Sequence, residues 1–593
     1  MPIIPTIGRR SIKIRLVIAL AYILLIAGSV TMIYPFLIML SGSVKGQADM
    51  DRPDPLPQLL YSDRMQFARF EEARYGNLVA VSAAFGKELF KFDQAELPVG
   101  VDDKELDEFQ RFRREKSSDF PAHFYYAAEM CSEKQVLPRN FRKFLDEIRR
   151  ECGTIDKFNR RYKMTLRNWN EFPGGLDTPL VKEFMYDSSD LLTARYLEFK
   201  RRLPLEDKAF VNIDGCYFNV QKSYPEVKNG SIDPNPVLAA TCPSGKEKAV
   251  WAEFVKHNLN CLFINLDPKG LMLFRQYLAA KFPGGIEAMN RTNDTRYRSF
   301  EEVNASYKEL MNSAFFILYT DFITNICPAE RLRVDTPSTR YREYVGFQTA
   351  AVPFVAYDYS VFKQRKSPFM VEMLTRNYVS VIEFIAVYGR AIFNTIIYIG
   401  LSILAALLVN PLAAYALSRF NLKSTYSILM FFMITMAFPG VVTMIPNFLL
   451  LKQLNLLNTF WALVLPGAAS GYSVFILKGF FDSIPKEVYE SAMIDGAGEW
   501  TMFWRFTMAL SKPILALITL SAFTGAYTAF MFAMIICPDE KMWTLMVWLY
   551  QIQHEALQPI VYAALILAAI PTLLVFVLAQ NTILKGIVIP MEK

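Results

Sequence analysis

Residues 487–513 read EVYESAMIDGAGEWTMFWRFTMALSKP, a charged, polar, glycine-hinged stretch set between two long apolar runs. If those runs cross a bilayer, this stretch lies outside it, because ionised side chains are costly in hydrocarbon. Its pattern predicts two short helices joined at Gly496: a first carrying Val488, Ala492 and Ile494 among acids, and a second presenting Trp500, Phe503 and Met508. Gly496 directly after Asp495 suits a helix end that requires positive φ. A helix pair fixed between two spans can pass the motion of a soluble partner to the membrane bundle, so it is a candidate coupling device.

Outward from this stretch, uncharged runs define the spans. Leu16 to Leu40 carries no charge over 25 residues, enough helix to cross a hydrocarbon core of about 30 Å. That length favours a retained span over a cleaved signal peptide. Five more spans are read at Ala391–Ser418, Thr425–Ala437 closed by Pro439-Gly440, Thr459–Leu477, Pro513–Ile536 and Pro559–Leu584. Pro446 predicts a break and a partly interfacial segment in the apolar stretch after Phe438, whereas Pro411 and Pro571 predict kinks inside their spans. Asn394 and Thr395 fit interhelical packing better than a lining of the pathway.

Basic residues set the orientation. Arg9, Arg10, Lys13 and Arg15 precede the first span, Arg419 and Lys423 follow the second, Lys478 and Lys486 the fourth, and Lys585 the sixth, all on one side of a six-span chain. By the positive-inside rule both termini and the 487–513 loop are cytoplasmic, and the short outer loops carry only Lys452 and Lys541. The net charge of +7 is therefore read as topology, and nucleic acid is excluded as a partner. Hydrophobic residues at 52%, charged residues at 20% and a mean hydropathy of +0.19 fit spans joined to a large soluble part. The expected class is α: a polytopic membrane protein with six transmembrane helices and a large, mainly helical extracytoplasmic insertion. Its domains are read as 1–15, 16–44 for the first span, 45–388 outside, and 389–593 for five spans with the loop at 485–513.

The residues Glu490-Ser491-Ala492-Met493-Ile494-Asp495-Gly496-Ala497, followed by Phe503, resemble the EAA loop of permease subunits of ATP-binding-cassette importers, in particular the maltose-permease-like, carbohydrate-uptake branch. Glu490, Asp495, Gly496 and Ala497 match that pattern, Ser491 replaces its second alanine, and Ala509 stands where a proline is usual. The likeness extends through FILKGFFDSIPKEVYESAMIDGA (475–497), NTIIYIG (394–400), AAYALSRF (413–420) and YPFLIMLSGSVK (34–45). It implies that Glu487, Glu490, Ser491, Ala492, Asp495, Gly496, Ala497 and Phe503 form the loop that docks on an ATPase. It further implies a bacterial cytoplasmic (inner) membrane location, an ABC ATPase dimer that binds the ATP, a second homologous permease, an extracytoplasmic solute-binding protein and surrounding lipid. Family members carry a much shorter loop after the first span, so about 340 residues here form an added domain large enough for its own core.

Inside that insertion a degenerate pattern recurs. Phe141-Arg142-Lys143-Phe144-Leu145, Phe274-Arg275-Gln276-Tyr277-Leu278 and Tyr341-Arg342-Glu343-Tyr344-Val345 share an aromatic-Arg-x-aromatic-aliphatic order, with a weaker Tyr196-Leu197-Glu198-Phe199. Residues 153–160 parallel 284–291, and Trp169 and Phe300 each lie ten residues beyond the matched Asn159 and Asn290. Trp251-Ala252-Glu253-Phe254 and Tyr319-Thr320-Asp321-Phe322 precede Asp267 and Asp335 at the same offset. A helical unit of roughly 65 to 70 residues is implied. The aromatics are read as core, the arginines as solvated or salt-bridged, and the two aspartates as caps or turns. Residues 141–169 also resemble helical segments of some β-galactosidase-like glycosidases, but without barrel strands to hold a catalytic acid pair.

Six cysteines, Cys131, Cys152, Cys216, Cys242, Cys261 and Cys327, fall in the insertion, and Cys537 ends the fifth span. Disulfides are permitted there, and buried thiols are equally compatible. With only His123, His257 and His554 and no C-x-x-C, no metal centre is expected. The chain has no G-x-x-x-x-G-K-[ST] loop, so it is read as a translocation subunit with no cofactor of its own and no catalytic residues, powered by ATP on a partner. The expected function is alternating-access import of sugars or oligosaccharides. The alternatives are a permease for another solute and a membrane-anchored glycan-binding or glycan-processing protein.

Overall fold

The computed structural model describes residues 12–100, 102–126, 139–166, 169, 172, 176–383, 390–420, 422–437 and 439–586. It divides into two compact units, Met1–Thr375 and Arg376–Lys593, with the boundary inside helix Lys366–Ile382. Both are mostly helical.

The first unit opens with helix Ile12–Gly42, of which Arg15–Gly42 is long and apolar enough to span a membrane. The chain leaving it is fixed at once. Asp49 accepts from the Arg69 guanidinium at 3.0 Å, Glu72 lies 3.6 Å from the same group, and the Ala48 amide donates to Glu72 at 3.1 Å. All three charged side chains are buried. Gly46 is required here, because a Cβ would fall within 1.9 Å of Arg69 Nη1.

Beyond it, short helices surround one aromatic core. In it Phe109 meets Tyr341 edge-on at 5.2 Å and Phe274 meets Tyr319 at 5.4 Å; outside this cluster Phe144 meets Tyr196 at 5.1 Å. Each such side chain, fully buried, contributes about 1.5–3 kcal/mol. Of the recurring aromatics Phe141, Phe144, Phe274 and Tyr341 are buried and Tyr277 and Tyr344 half-buried, and the arginines between them are paired: Arg142 with Glu372 at 2.7 Å, Arg275 with the Val303 carbonyl at 2.9 Å, and Arg342 with buried Asp214.

Two stretches build the same local object. Helix Glu247–Glu253 passes through a π turn, Phe254–Asn258, into strand Ile264–Leu266 and helix Pro268–Lys281. Helix Ser313–Asp321 passes through a π turn, Phe322–Ile326, into strand Leu332–Val334 and helix Pro337–Val345. The two strands pair antiparallel, with Asn265 opposite Arg333 at the middle. A second antiparallel pair joins Tyr125–Tyr126 to Ala209–Phe210. Asp267 caps its helix, accepting from the Gly270 amide at 2.6 Å. Asp335 instead grips Arg340 through two hydrogen bonds of 2.7 and 2.8 Å, and Thr336 takes the cap. Asn159 and Asn290 each bridge the backbone seven residues on, to Leu166 and to Tyr297, with bonds of 2.7 to 3.1 Å.

Cys131 lies outside the described residues; Cys152, Cys242, Cys261, Cys327 and Cys537 are free thiols. Burial pushes Cys261 and Cys327 up to about 11, which makes them poor nucleophiles.

In the second unit, helices Ala391–Arg419 and Gln558–Gly586 are long and apolar. Three bent pairs accompany them: Thr425–Met436 with Gly440–Gln453 at 100°, Phe460–Ala468 with Gly471–Asp482 at 48°, and Glu499–Leu510 with Lys512–Thr528 at 82°. Among the described residues, three helices are therefore long and apolar enough to span a membrane, or up to six spans if each bent pair counts as one. The predicted break at Pro446 is not found: Gly440–Gln453 runs helical through it, and the discontinuity lies before Gly440. Proline removes one hydrogen bond and crowds the carbonyl of the preceding turn, a cost that leaves this helix continuous. Helix Ala391–Arg419 is central and packs on Phe460–Ala468, Gly471–Asp482 and Lys512–Thr528.

Candidate coupling loop

Helix Lys486–Ile494 begins after Pro485, whose φ of −56° presets the turn, and places Glu487 in its first turn, where the helix dipole favours an acid. It ends in a Schellman turn. The Gly496 amide donates to Met493 O at 3.0 Å and the Ala497 amide to Ala492 O at 2.9 Å, with Gly496 at φ +80°. An added Cβ at Gly496 meets nothing within 4 Å. Glycine is thus required by backbone conformation, not by space.

The second helix starts at Glu499 and reaches Leu510 through a π segment, Met502–Thr507. Its inner side locks onto the Arg419 end of helix Ala391–Arg419. Tyr415 meets Phe503 edge-on at 5.3 Å and donates to Glu499 at 2.6 Å. The Arg419 guanidinium lies 3.9 Å from the centre of the Tyr489 ring, and the Tyr489 and Thr507 hydroxyls bond at 2.9 Å.

Of the predicted loop residues, Glu487, Glu490, Ser491, Asp495 and Gly496 are exposed, Ala497 is half-buried and Ala492 is buried. Phe503, expected to be presented outward, is 1% exposed. It anchors the loop while Trp500, at 66%, and Ile494, at 87%, stand out. The packing partner decides the difference: Met502, Phe503 and Thr507 are buried, Phe503 against Tyr415 of another helix, a contact that local periodicity does not reveal. Tyr415, Arg419, Tyr489, Glu499 and Thr507 were missed as clamp residues. The one sequence signal for them is the i, i+3 pairing of Tyr489 with Ala492. The outer surface joins the carboxylates of Glu487, Glu490 and Asp495 to exposed Met493, Ile494, Trp500 and Trp504, a mixed patch suited to a protein partner.

Above the loop, the broken pair Phe460–Ala468 and Gly471–Asp482 is held by Asn410, which is 1% exposed. Its amide nitrogen donates to Ala468 O at 3.2 Å and its oxygen accepts from the Ser470 amide at 2.8 Å. The backbone groups freed by the bend are thus satisfied without water, as membrane interiors demand. Asn394 donates to the Lys541 and Trp543 carbonyls at 2.9 and 3.0 Å, and Thr395 accepts from the Leu545 amide at 2.8 Å. Both residues act in packing.

Residues 399–588 match the family described as binding-protein-dependent transport system inner membrane component. Protein LplC of Bacillus subtilis (strain 168) is 34% identical over 192 residues, 30% of this chain and 64% of the relative. The polygalacturonan/rhamnogalacturonan transport system permease protein YtcP of the same organism is 33% identical over 213 residues, 33% of this chain and 72% of the relative. The diacetylchitobiose uptake system permease protein NgcG of Streptomyces coelicolor (strain ATCC BAA-471 / A3(2) / M145) is 29% identical over 205 residues, 33% of this chain and 67% of the relative. The chain spans about two thirds of the length of these relatives. It belongs to this family of membrane permease components, and the family match lies wholly within the second unit.

Proposed function

We propose that this chain is one permease subunit of an ATP-driven importer for sugars or oligosaccharides, with six spans, both termini cytoplasmic, and residues 45–388 outside the inner membrane. Relatives named for uptake of polygalacturonan and diacetylchitobiose support the saccharide class. A second homologous permease completes the translocation path, an ATPase dimer that binds ATP seats on the loop, and a solute-binding protein delivers cargo. The parallel built by 247–281 and 313–345 supports an insertion made by duplication.

The observation that carries the coupling role is the loop's construction: a patch of Glu487, Glu490, Asp495, Ile494 and Trp500 on a helix pair whose underside is fixed by Tyr415, Arg419, Tyr489 and Phe503. A force applied to the patch is passed to the central helix instead of being lost in loop motion. ATP-driven closure of the partner then tilts helix Ala391–Arg419 and its neighbours between inward-open and outward-open states. Gly496→Pro forbids φ +80°, and Glu490→Lys leaves the patch two carboxylates and sets an ammonium between them. Both are expected to insert in the membrane normally and to lose transport-coupled ATP hydrolysis in the assembled transporter; normal sugar uptake by either would overturn the reading.

A further inference from the structure

The first unit contains a cleft of about 700 Å³, lined by residues from 78–89, 179–180, 213–228 and 254–260. That volume falls within the ~300–1,000 Å³ of small-molecule sites. Its wall is firmly set. Gly215 lets helix Ile213–Gln221 touch helix Leu78–Phe85 so closely that a Cβ would lie 1.9 Å from Ala83 O. The floor is apolar, with Leu89, Ile213, Phe254 and Leu259 all buried. The rim is cationic: the exposed Lys222 and Lys228 face one carboxylate, Glu88. Between floor and rim, the Asn219 side-chain oxygen is buried and has no hydrogen-bond partner among the described residues.

We propose that this cleft binds a carboxylate-bearing saccharide, a uronate oligomer. Three demands converge on that chemistry. The buried amide oxygen of Asn219 requires a donor, and a sugar hydroxyl supplies one. The two exposed ammonium groups, Lys222 lying 4.0 Å over the Phe218 ring, favour an anion, which the uronate carboxylate provides. The apolar floor requires an uncharged face, and the C–H face of a pyranose ring fits it. A fatty acid leaves Asn219 without a donor, and inorganic phosphate leaves the floor uncovered. The choice of a saccharide rests on the reading of the chain as a saccharide permease; the cleft and its polarity do not.

The test uses the purified full chain in detergent, with neither ATPase nor binding protein, and follows thermal unfolding against added trigalacturonate. A saturable rise in Tm is expected, at least about tenfold weaker in affinity for a neutral galactose trimer, since charge-assisted hydrogen bonds are worth roughly that factor or more. Asn219→Leu and the double variant Lys222→Gln with Lys228→Gln should each weaken trigalacturonate by about tenfold. Both lysines are exposed, so the double variant keeps the fold, which an unchanged Tm without ligand verifies. Absence of a saturable shift, equal affinity for the neutral trimer, or indifference to these substitutions would overturn the proposal. Gly496→Pro should bind trigalacturonate normally while failing to couple, so loss of the cleft and loss of the permease reading give different results.

Discussion

The two units bury polar atoms by opposite means. In the first, charges go inside and are paired. Lys200 and Asp177, both fully buried, meet at 2.7 Å and are joined by the hydroxyls of Tyr186 and Tyr196 at 2.5 and 2.9 Å from Asp177. In the second, apart from Arg376 at its very start, the buried polar groups among the described residues are neutral, among them Asn394, Asn410, Thr395 and the Tyr489–Thr507 hydroxyl pair. A water-facing unit can recruit ions during folding and bury them in pairs. A unit assembled in lipid finds such ions too costly and closes its backbone with amides and hydroxyls instead. If this contrast is real, single substitutions should hurt the first unit through stranded charge and the second through stranded backbone.

The largest effect is expected from Lys200→Met, which leaves the Asp177 carboxylate buried without its cation. Breaking such a pair costs about 3–5 kcal/mol, whereas removing both members together is close to neutral. Thermal unfolding of the full chain in detergent should show the first unit melting well below its native midpoint in Lys200→Met, with part of the loss recovered in Lys200→Met with Asp177→Leu, where the Tyr186 and Tyr196 hydroxyls lose their acceptor. An equal loss in both would mean that shape, not charge, holds this core.

A pH test sharpens the same side of the comparison. Glu71 is fully buried, and desolvation first, then the neighbouring Asp358 carboxylate, raises its pKa well above the ordinary value despite Arg74. In the unfolded chain Glu71 ionises near its ordinary value of 4.5; in the fold it keeps its proton to higher pH. Its contribution is therefore fully present below about pH 4.5 and is lost as pH rises toward the folded pKa. The slope is at most about 1.4 kcal/mol per pH unit. Glu71→Gln should flatten the pH dependence of the first unit's unfolding midpoint across pH 5–7; an unchanged slope would assign that dependence to other groups.

What could be read from the sequence follows the same division. Spans were legible because an uncharged run of span length has few other meanings, as at Ala391–Arg419 and Gln558–Gly586. The bend between Ala468 and Gly471 was not, since the residue that makes it tolerable, Asn410, lies 60 positions away from Ser470. Gly496 announced its turn because positive φ is a local demand, but the inward side of the loop depended on Tyr415 and Arg419 from another helix. In the first unit the aromatic pattern marked the core correctly. Strands of two or three residues left no periodicity to detect.

On the second unit's side, Asn410→Leu should strand Ala468 O and Ser470 N–H at the bend. Unsatisfied buried groups cost about 1–3 kcal/mol, and interhelical polar contacts in membranes fall at the low end, about 0.6 to 1.7 kcal/mol. Unfolding of the second unit in detergent or bilayer micelles, followed by helical signal, should show a loss of about 1–2 kcal/mol. Asn410→Asp keeps the acceptor for Ser470 but puts an ionisable carboxyl in the apolar interior, so it should cost at least as much. No change in either variant would mean that the bend needs no staple.

The smallest effect expected is at the loop clamp. Tyr489→Phe and Thr507→Val each delete one partner of the 2.9 Å hydroxyl pair, and a neutral hydrogen bond contributes about 0.5–1.5 kcal/mol. Thr507 also donates to Met502 O at 3.2 Å, so its substitution should cost slightly more than that of Tyr489. The double variant should cost less than the sum, because once one hydroxyl is gone the other has nothing to lose. The informative readout is functional. Global stability should barely move, whereas ATP hydrolysis by the assembled transporter should respond less to transported substrate, since a loosened underside lets the outer patch move without carrying helix Ala391–Arg419. If stability falls by more than the hydrogen bond is worth while coupling stays intact, the pair is packing alone. The contrast between the units would then extend to the loop without giving it a part in transmission.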